Sequence, residues 1–276
     1  MNIGIAGLGL IGGSLAKAYQ AAGHSVFGFD VNEDVLSFAQ ISGVIEGILD
    51  EKSIGQCEAV FIAVNPGDAI DYLEKTAPGI AKNTLVIDCC GVKRSVCSRC
   101  FPLAEKYGFT FIGGHPMAGS HKAGFKNSRA DLFHGAYIII VPPVYDDPAL
   151  FARIEDILKP VGFGHFTVTT AEKHDKMIAF TSQLAHIVSN AYIKSPAARG
   201  HKGFSAGSYK DLTRVARLNA DMWGELCMDN SKFLVRELDC FIKSVTLYRD
   251  ALAAHDRTAL VKLLEKGSRL KEEMDH

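Results

Sequence analysis

Glycines near the start of the chain are spaced for binding a dinucleotide. Gly7, Gly9 and Gly12 form the pattern G-x-G-x-x-G after an apolar run that predicts a strand, and an Ala/Leu-rich segment from Ser14 predicts the helix that follows. We expect Gly7 to permit the tight turn, Gly9 to let the backbone approach a pyrophosphate, and Gly12 to let helix and strand pack closely. The cofactor-binding candidates of this turn are Gly7, Gly9, Leu10, Ile11 and Gly12.

A carboxylate after the second predicted strand indicates which cofactor is bound. The strand over residues 25–29 ends at Asp30, within the interval of roughly 20 residues at which an acid meets the adenosine ribose. Asp30 can accept hydrogen bonds from a ribose 2′-hydroxyl and would repel a 2′-phosphate, and Val31 and Asn32 supply no arginine for one. NAD is therefore favoured over NADP. The alternative is that Asp30 caps the helix that begins near Glu33.

The order of predicted elements indicates an α/β fold. Strands and helices alternate through residues 1–168, which predicts a Rossmann-like, doubly wound, mostly parallel sheet covered on both faces. Ligands of such sheets bind beyond the carboxyl ends of strands, so we expect Val64 and Asn65, at the end of an apolar strand over residues 59–64, beside the dinucleotide. A plain strand-to-helix turn explains Asn65 equally well.

A second, all-α domain is expected over residues 169–276. Apolar residues recur there at helical spacing, no convincing strand follows, and one of the predicted helices covers residues 209–218. The apolar helix near residues 175–195 has more hydrophobic surface than one layer needs, so we expect a homodimer through this domain. Burial within one chain is the alternative.

His115 is a candidate proton acceptor. It lies in a glycine-rich turn after the strand predicted over residues 110–113, and Pro116 favours an extended conformation at the preceding residue. An unperturbed imidazole pKa near 6.5 suits a general base at neutral pH. The residues alone leave open that His115 is a surface or capping histidine.

The composition excludes several classes of function. The 276 residues, 47% hydrophobic and 22% charged, are typical of a soluble globular protein, and a net charge of -1 gives no field for nucleic acid or an anionic membrane. No apolar run spans a bilayer and no signal-peptide pattern opens the sequence, so we expect a cytoplasmic protein. Among seven cysteines, Cys97 and Cys100 lie in a predicted helix without a second C-x-x-C, which favours thiols over a metal site.

Motifs in both halves resemble the prephenate/arogenate dehydrogenase family. They are the glycine pattern, the segment Gly-His-Pro-Met-Ala-Gly-Ser over residues 114–120, and Tyr-Lys-Asp-Leu-Thr-Arg over residues 209–214, followed by Trp223. The resemblance covers nearly the whole chain. It implies NAD-dependent oxidative decarboxylation of prephenate to 4-hydroxyphenylpyruvate, or of arogenate to tyrosine, in the biosynthesis of tyrosine.

The resemblance also implies roles for individual residues. His115 matches the catalytic histidine, which takes the ring-hydroxyl proton as hydride leaves the same carbon for the nicotinamide. Arg214 matches the substrate-binding arginine, whose planar guanidinium suits a carboxylate, and Trp223 follows at the family's spacing. On the residues alone, Lys210, Arg214 and Arg217 fit a solvated stripe of a helix equally well.

Four further residues are candidates for binding or positioning the substrate, and the last two are the weaker ones. His186 resembles a family histidine that reaches the substrate, although a lone histidine on an apolar helix also fits a hydrogen-bonded core position. Gln183, three residues earlier, shares its helical face. Ser120 is a candidate donor in the turn after His115, and Lys93 is a basic residue beyond a strand end.

One departure from the family lies in the turn over residues 88–93. Family members commonly carry a serine that assists the histidine and the cofactor where this chain has Gly91, so the orientation of His115 needs another partner: Cys90, a backbone group or water. Two competing functions remain. A β-hydroxyacid or imine reductase would use Lys173 or Lys176 as acid/base, and a regulatory dinucleotide-binding module would not depend on His115.

Overall fold

An eight-stranded sheet forms the centre of the molecule in the computed structural model, which describes residues 1–119 and 122–275. The strands are β1 (Asn2–Ala6), β2 (Ser25–Phe29), β3 (Gly47–Ile48), β4 (Ala59–Ile62), β5 (Leu85–Asp88), β6 (Thr110–Pro116), β7 (Tyr137–Val141) and β8 (His165–Val168). Their spatial order is β3-β2-β1-β4-β5-β6-β7-β8. All neighbouring strands are parallel except β6 and β7. The predicted doubly wound, mostly parallel sheet is confirmed.

Helices bury both faces of this sheet. They are α1 (Leu10–Ala21), α2 (Glu33–Ile41), α3 (Pro66–Thr76), α4 (Arg94–Tyr107) and α5 (Pro148–Leu158). Successive residues of a strand point to opposite faces, and in β4 Phe61 packs into one core while Val60 and Ile62 pack into the other. Strands that are apolar on both faces form sheets that are buried on both faces.

Only helices follow Val168 within the described residues. They are α6 (Ala171–Ile178), α7 (Ala185–Tyr192), α8 (Gly207–Thr213), α9 (Ala220–Asp229), α10 (Ser231–Ala253) and α11 (Arg257–Asp275). A π-helical segment, Ala179–Leu184, joins α6 to α7, so that residues 171–192 are one helical run with a widened middle. No helix of the described ranges is long and apolar enough to cross a membrane.

Several elements of the first half differ from their prediction. β4 ends at Ile62, two residues before the predicted end, and β6 extends to Pro116, three residues beyond it. α1 begins at Leu10, four residues before Ser14, because Gly12 and Gly13 obscure the start of the helix in the sequence: glycine disfavours helices, yet both residues are buried in this one. The two-residue β3 has no counterpart among the predicted strands. It pairs only with β2, and two residues are too short to show a periodic pattern.

The helix predicted over residues 209–218 is also wrong in its bounds. α8 ends at Thr213, which places Arg214 at its end and Arg217 beyond it. The carbonyl group of Leu212 accepts a hydrogen bond from Ser189 Oγ at 2.6 Å instead of continuing the helix. A side chain of α7 therefore satisfies a backbone carbonyl group at the end of α8. Local spacing in the sequence does not reveal such a contact between two helices.

Candidate active site

The three glycines of the first turn are required for three different reasons. Gly7 has φ +89°, and a Cβ there would lie 2.5 Å from Val64 Cγ1. A Cβ on Gly12 would overlap the carbonyl oxygen of Gly7. Gly9, in contrast, has no heavy atom within 4 Å of its Cβ position. The backbone at Gly9 thus faces open space at the beginning of α1, where a pyrophosphate can approach N–H groups.

A groove of about 530 Å³ extends from this turn across the carboxyl ends of β1, β2 and β4. Its lining residues include the candidates Gly7, Gly9, Asp30, Val64 and Asn65. Leu10 and Ile11 form the first turn of α1 and are half-buried. The structure therefore brings the glycine turn and the residues after β4 to one groove.

Asp30 braces the glycine turn. Its Oδ2 accepts a hydrogen bond from the Leu8 N–H at 2.8 Å, and its Oδ1 accepts one from the Asn32 N–H at 2.9 Å. The alternative that Asp30 caps α2 is wrong, because Asn32 is the N-cap and its side chain accepts from the N–H groups of Asp34 and Val35. The carboxylate of Asp30 instead lines the groove at the end of β2.

His115 lies within β6 and not in the turn after it. The strand continues beyond the predicted end at Gly113 because it pairs with β7, with His115 opposite Ile139. Since β6 is parallel to β5, His115 lies at the same carboxyl edge of the sheet as the glycine turn. Its side chain is half-buried, and burial, then the neighbouring His174 and Lys93, lower its pKa well below 6.5. His115 is therefore neutral at pH 7.

Two buried residues of α6 continue from His115 into the protein. His115 Nδ1 lies 2.8 Å from His174 Nε2, and His174 Nδ1 lies 2.7 Å from Asp175 Oδ1. The Asp175 carboxylate also accepts hydrogen bonds from the backbone N–H groups of Lys93 and Arg94 at 2.7 and 2.9 Å. Burial lowers the pKa of His174, although the bond to Asp175 opposes this shift.

Sequence reasoning missed His174 and Asp175, yet a signal existed. On α6 they share the buried face with Ile178, and a histidine and an aspartate on such a face need partners. Lys173 and Lys176, the acid/base candidates of the reductase hypothesis, are exposed on the same helix. α6 therefore directs a histidine, and neither of these lysines, toward His115.

Lys93 is part of a buried ion pair. Its ammonium group contacts Asp88, and both side chains are fully buried. Burial alone would lower the pKa of Lys93, but the Asp88 carboxylate more than offsets this and the net shift is upward. Asp88 also accepts from the N–H groups of Gly114 and Cys90 at 3.1 and 3.0 Å. Asp88 thus joins the end of β5 to β6, and Lys93 neutralises this buried carboxylate from within the protein.

Gly91, at the family's serine position, lies against the helical half. A Cβ on Gly91 would lie 3.2 Å from Leu226 Cδ2 of α9. Cys90 is buried, and its Sγ is 3.5 Å from the Val64 carbonyl oxygen. Cys97 and Cys100 are buried thiols of α4, as the helix prediction placed them. No group of three potential metal ligands occurs in the described part of the chain.

The substrate-binding candidates of the helical half lie on α7, α8 and α9. The rings of His186 and Trp223 lie with centroids 4.1 Å apart and planes inclined by 32°, and both side chains are half-buried. His186 Nδ1 lies 2.8 Å from the Ser182 carbonyl oxygen, so Nδ1 carries a hydrogen. Arg214 is exposed and has no ion-pair partner among residues 1–119 and 122–275.

Gln183 and Ser120 have different outcomes. Gln183 is buried, its Nε2 donates to the Leu226 carbonyl oxygen at 2.8 Å, and its Oε1 accepts from Asn230 at 2.7 Å. Gln183 and His186 thus share the face of the helix that contacts α9. The role of Gln183 in binding a substrate stays a prediction. Ser120 lies outside the described residues.

Comparison with known proteins shows the same family in both halves. A model described as the nucleotide-binding domain of prephenate dehydrogenase matches residues 15–167, and one described as its dimerization domain matches residues 170–266. Prephenate dehydrogenase of Bacillus subtilis is 30% identical over 94% of this chain and 72% of its own length. Cyclohexadienyl dehydrogenase of Zymomonas mobilis is 28% identical over 100% and 97%, respectively.

A solved structure has the same fold. Prephenate dehydrogenase from Aquifex aeolicus, in complex with hydroxyphenyl propionate and NAD+, superposes with a TM-score of 0.84. The alignment covers 99% of this chain and 98% of that one at 24% sequence identity.

Proposed function

The chain belongs to the prephenate dehydrogenase family, and from this membership and the geometry of the site we propose that it converts prephenate and NAD to 4-hydroxyphenylpyruvate, CO2 and NADH. Arogenate, which has an amino group in place of the side-chain keto group, is the alternative substrate and would yield tyrosine. The observation that carries the proposal is the setting of His115, a neutral, half-buried imidazole at the sheet edge that also holds the glycine turn.

The glycine turn and its groove fit a dinucleotide. The open space in front of Gly9 accommodates a pyrophosphate, and the Asp30 carboxylate at the end of β2 suits a ribose hydroxyl. Asp68 and Asp71 also line this groove together with one cation, Lys75, and the excess of carboxylates disfavours the extra phosphate of NADP. When bound, NAD accepts the hydride from the substrate's ring carbon.

His115 accepts the proton in this proposal. As the C–H bond of the carbinol carbon gives up its hydride, the O–H electron pair forms the carbonyl bond and the proton passes to His115 Nε2. The bond between the ring and its carboxylate then breaks, CO2 leaves, and the electron pair makes the ring aromatic. As the ring becomes aromatic, its carbonyl oxygen becomes the phenol oxygen of the product, and His115 returns to it the proton held since the hydride step.

The helical half supplies the substrate contacts. We assign the guanidinium of exposed Arg214 to a substrate carboxylate, because two planar N–H donors match two carboxylate oxygens. The contacting rings of His186 and Trp223 form an aromatic wall, which we assign to the ring of the substrate, and the Nδ1–H of His186 is already bonded, so Nε2 is the nitrogen left to contact it. The division into a dinucleotide domain over residues 1–168 and a substrate domain over residues 169–276 follows from these assignments.

We assign dimerisation to the same half. α10 presents the exposed apolar residues Val235, Ile242, Val245 and Leu252 at intervals that place them along one helical stripe. Such a stripe is typical of a helix that packs on another chain, and residues 170–266 match a family model described as a dimerization domain. We therefore propose that two copies pair through α10.

Initial rates of NADH formation test the function directly. The purified protein is given NAD with prephenate or arogenate in parallel, and the ratio of kcat/KM identifies the substrate. NADP in place of NAD is the control for the cofactor assignment. Turnover of neither substrate by a protein that still binds NAD would refute the proposal.

A further inference from the structure

The bonds behind His115 determine which of its nitrogens carries the hydrogen. A carboxylate only accepts, so the hydrogen between His174 and Asp175 lies on His174 Nδ1. Burial lowers the pKa of His174, which keeps this ring neutral and leaves a lone pair on its Nε2. His115 Nδ1, 2.8 Å away, must then donate to His174 Nε2. The lone pair of His115 consequently lies on Nε2.

From this order of donors and acceptors we propose that His174 is a positioning residue for the dehydrogenase reaction, fixing the tautomer and ring orientation of His115 so that Nε2 faces the substrate hydroxyl. The proposal rests on the proposed function. His174 does not itself touch the reacting atoms. His174 acts as a hydrogen-bond partner that selects one tautomer of the catalytic imidazole. Its own imidazole thereby lies between the base, His115, and the carboxylate of Asp175.

The surroundings of His174 hold it in place for this role. Asp175 is oriented by the N–H groups of Lys93 and Arg94, and its own carbonyl oxygen accepts from Asn230 at 2.8 Å. The charged groups that face His174 are Asp175 on its own helix and the Lys93–Asp88 pair beyond the end of β5. Since Lys93 is paired with Asp88, the Asp175 carboxylate remains available to bond His174.

Gly91 explains why this arrangement matters in this chain. The residue at the family's serine position has no side chain, so it offers His115 no hydroxyl. Among the described residues, His174 is the side chain that bonds Nδ1 of His115. The hydrogen-bond partner that orients His115, which the sequence did not identify, is thus supplied by α6, the first helix of the second half.

Two substitutions separate the two bonds of His174. An asparagine amide reaches about as far as Nδ1, so His174→Asn keeps a donor for Asp175 and loses the bond to His115. A glutamine carbonyl reaches about as far as Nε2, so His174→Gln keeps an acceptor for the His115 Nδ1–H. We expect kcat to fall roughly 10- to 100-fold in His174→Asn, with KM for both substrates within about twofold, and to recover by about tenfold in His174→Gln.

His255→Asn is the matched control. His255 lies after α10, whose 23 residues separate it from Asn230 by roughly 35 Å. Its φ of 51° is one that asparagine tolerates, so this variant should retain the unsubstituted kcat. A kcat of His174→Asn equal to that of the control would overturn the proposal. Equal impairment of both His174 variants with raised KM values would indicate a structural role and would also overturn it.

Imidazole 15N chemical shifts test the tautomer without turnover. The signals of His115 are assigned by their loss in His115→Asn. We expect Nδ1 protonated and Nε2 bearing the lone pair in the unsubstituted protein, and loss of this preference in His174→Asn. A protonated Nε2 in the unsubstituted protein at pH 7.5 would refute the inference. Absence of turnover would refute the proposed function alone, because the shifts report on His174 independently.

Discussion

The side of the candidate site that we propose accepts the proton and the side that we propose binds the substrate are built differently. His115 is joined through buried His174 to Asp175, and the Lys93–Asp88 pair lies beside them in the protein. Arg214, in contrast, is exposed at the end of α8, a seven-residue helix that has no buried residue. One side is a bonded network between sheet and helix, whereas the other is carried by a short surface element.

The difference teaches where preorganisation is needed. A base must present one nitrogen in one direction, and a fully bonded buried network restricts it to that state before the substrate arrives. A helix with few buried contacts has low local stability and can adjust as a charged ligand arrives. We infer that the buried network holds His115 in one orientation before the substrate binds, and that the contacts from α8 become ordered as the substrate binds.

Removing the base is the strongest test of the buried side. His115→Asn should lower kcat by roughly 100- to 10,000-fold, because general base catalysis contributes that much. The affinity for NAD should be unchanged, since His115 lies on β6 and the groove is formed at β1, β2 and β4. Initial rates and a titration with NAD measure the two effects. A variant that keeps more than a tenth of the rate would mean that another group takes the proton.

Removing the exposed cation tests the other side. Arg214→Ala should raise KM for the substrate by roughly 10- to 100-fold, the equivalent of losing a hydrogen bond to a charged group worth about 1.5–3 kcal/mol. Arg214→Lys should fall between, because lysine keeps the charge without the planar pair of donors. Arg217→Ala is the control on the same surface, beyond the end of α8. If KM is unchanged in Arg214→Ala, the substrate carboxylate is bound elsewhere.

The pH profile tests whether the buried network keeps its base neutral. The pKa of His115 is lowered below 6.5, so kcat/KM should be level from pH 7 to 8 and fall about tenfold per unit below that lowered pKa. A pH midpoint of kcat/KM above 6.5 would contradict a lowered pKa of His115.

The same shifts predict how stability depends on pH. His115 and His174 both have lowered pKa values in the folded state, so below pH 6.5 the unfolded chain binds more protons. The free energy of unfolding should therefore decrease as the pH falls from 6.5, and denaturant titrations at several pH values measure it. If the free energy of unfolding depends less on pH in His174→Asn, the difference measures the contribution of His174 to that dependence.

Restoring the family's serine should have the smallest effect. In Gly91→Ser the new Cβ lies 3.2 Å from Leu226 Cδ2, so we expect a loss of stability of about 1 kcal/mol from the crowded contact. Because His115 is already held by His174, kcat should stay within about twofold. Thermal melting and initial rates measure the two effects. A large gain in kcat would show that His115 is poorly oriented without the hydroxyl.

Local patterns were sufficient for much of the fold. β2 has the bounds that were predicted for it, and the glycine turn occupies the expected place after β1. In each case the structure is determined by neighbouring residues: alternation or continuity of apolar side chains, or the missing Cβ of a glycine. The position of Asp30 directly after β2 followed from the same reasoning.

What the sequence did not reveal depends on contacts between distant residues. Asp175 binds the backbone at Lys93, 82 residues earlier, and α8 ends where Ser189 of α7 meets the Leu212 carbonyl group. The pairing of β6 with β7, which includes His115 in a strand, is likewise decided by the neighbouring strand. Such partners are known only once the sheet and the helices have been placed together.

The π-helical segment Ala179–Leu184 lies between His174, which contacts His115, and His186, which contacts Trp223. Each residue of an α-helix turns the chain by about 100°, so losing one residue here would keep the helix and both histidines but rotate one away from its partner. The length of this segment therefore sets the relative orientation of the two histidines, whichever residues it contains. A single deletion here would separate a pair while leaving every contributing side chain in the chain.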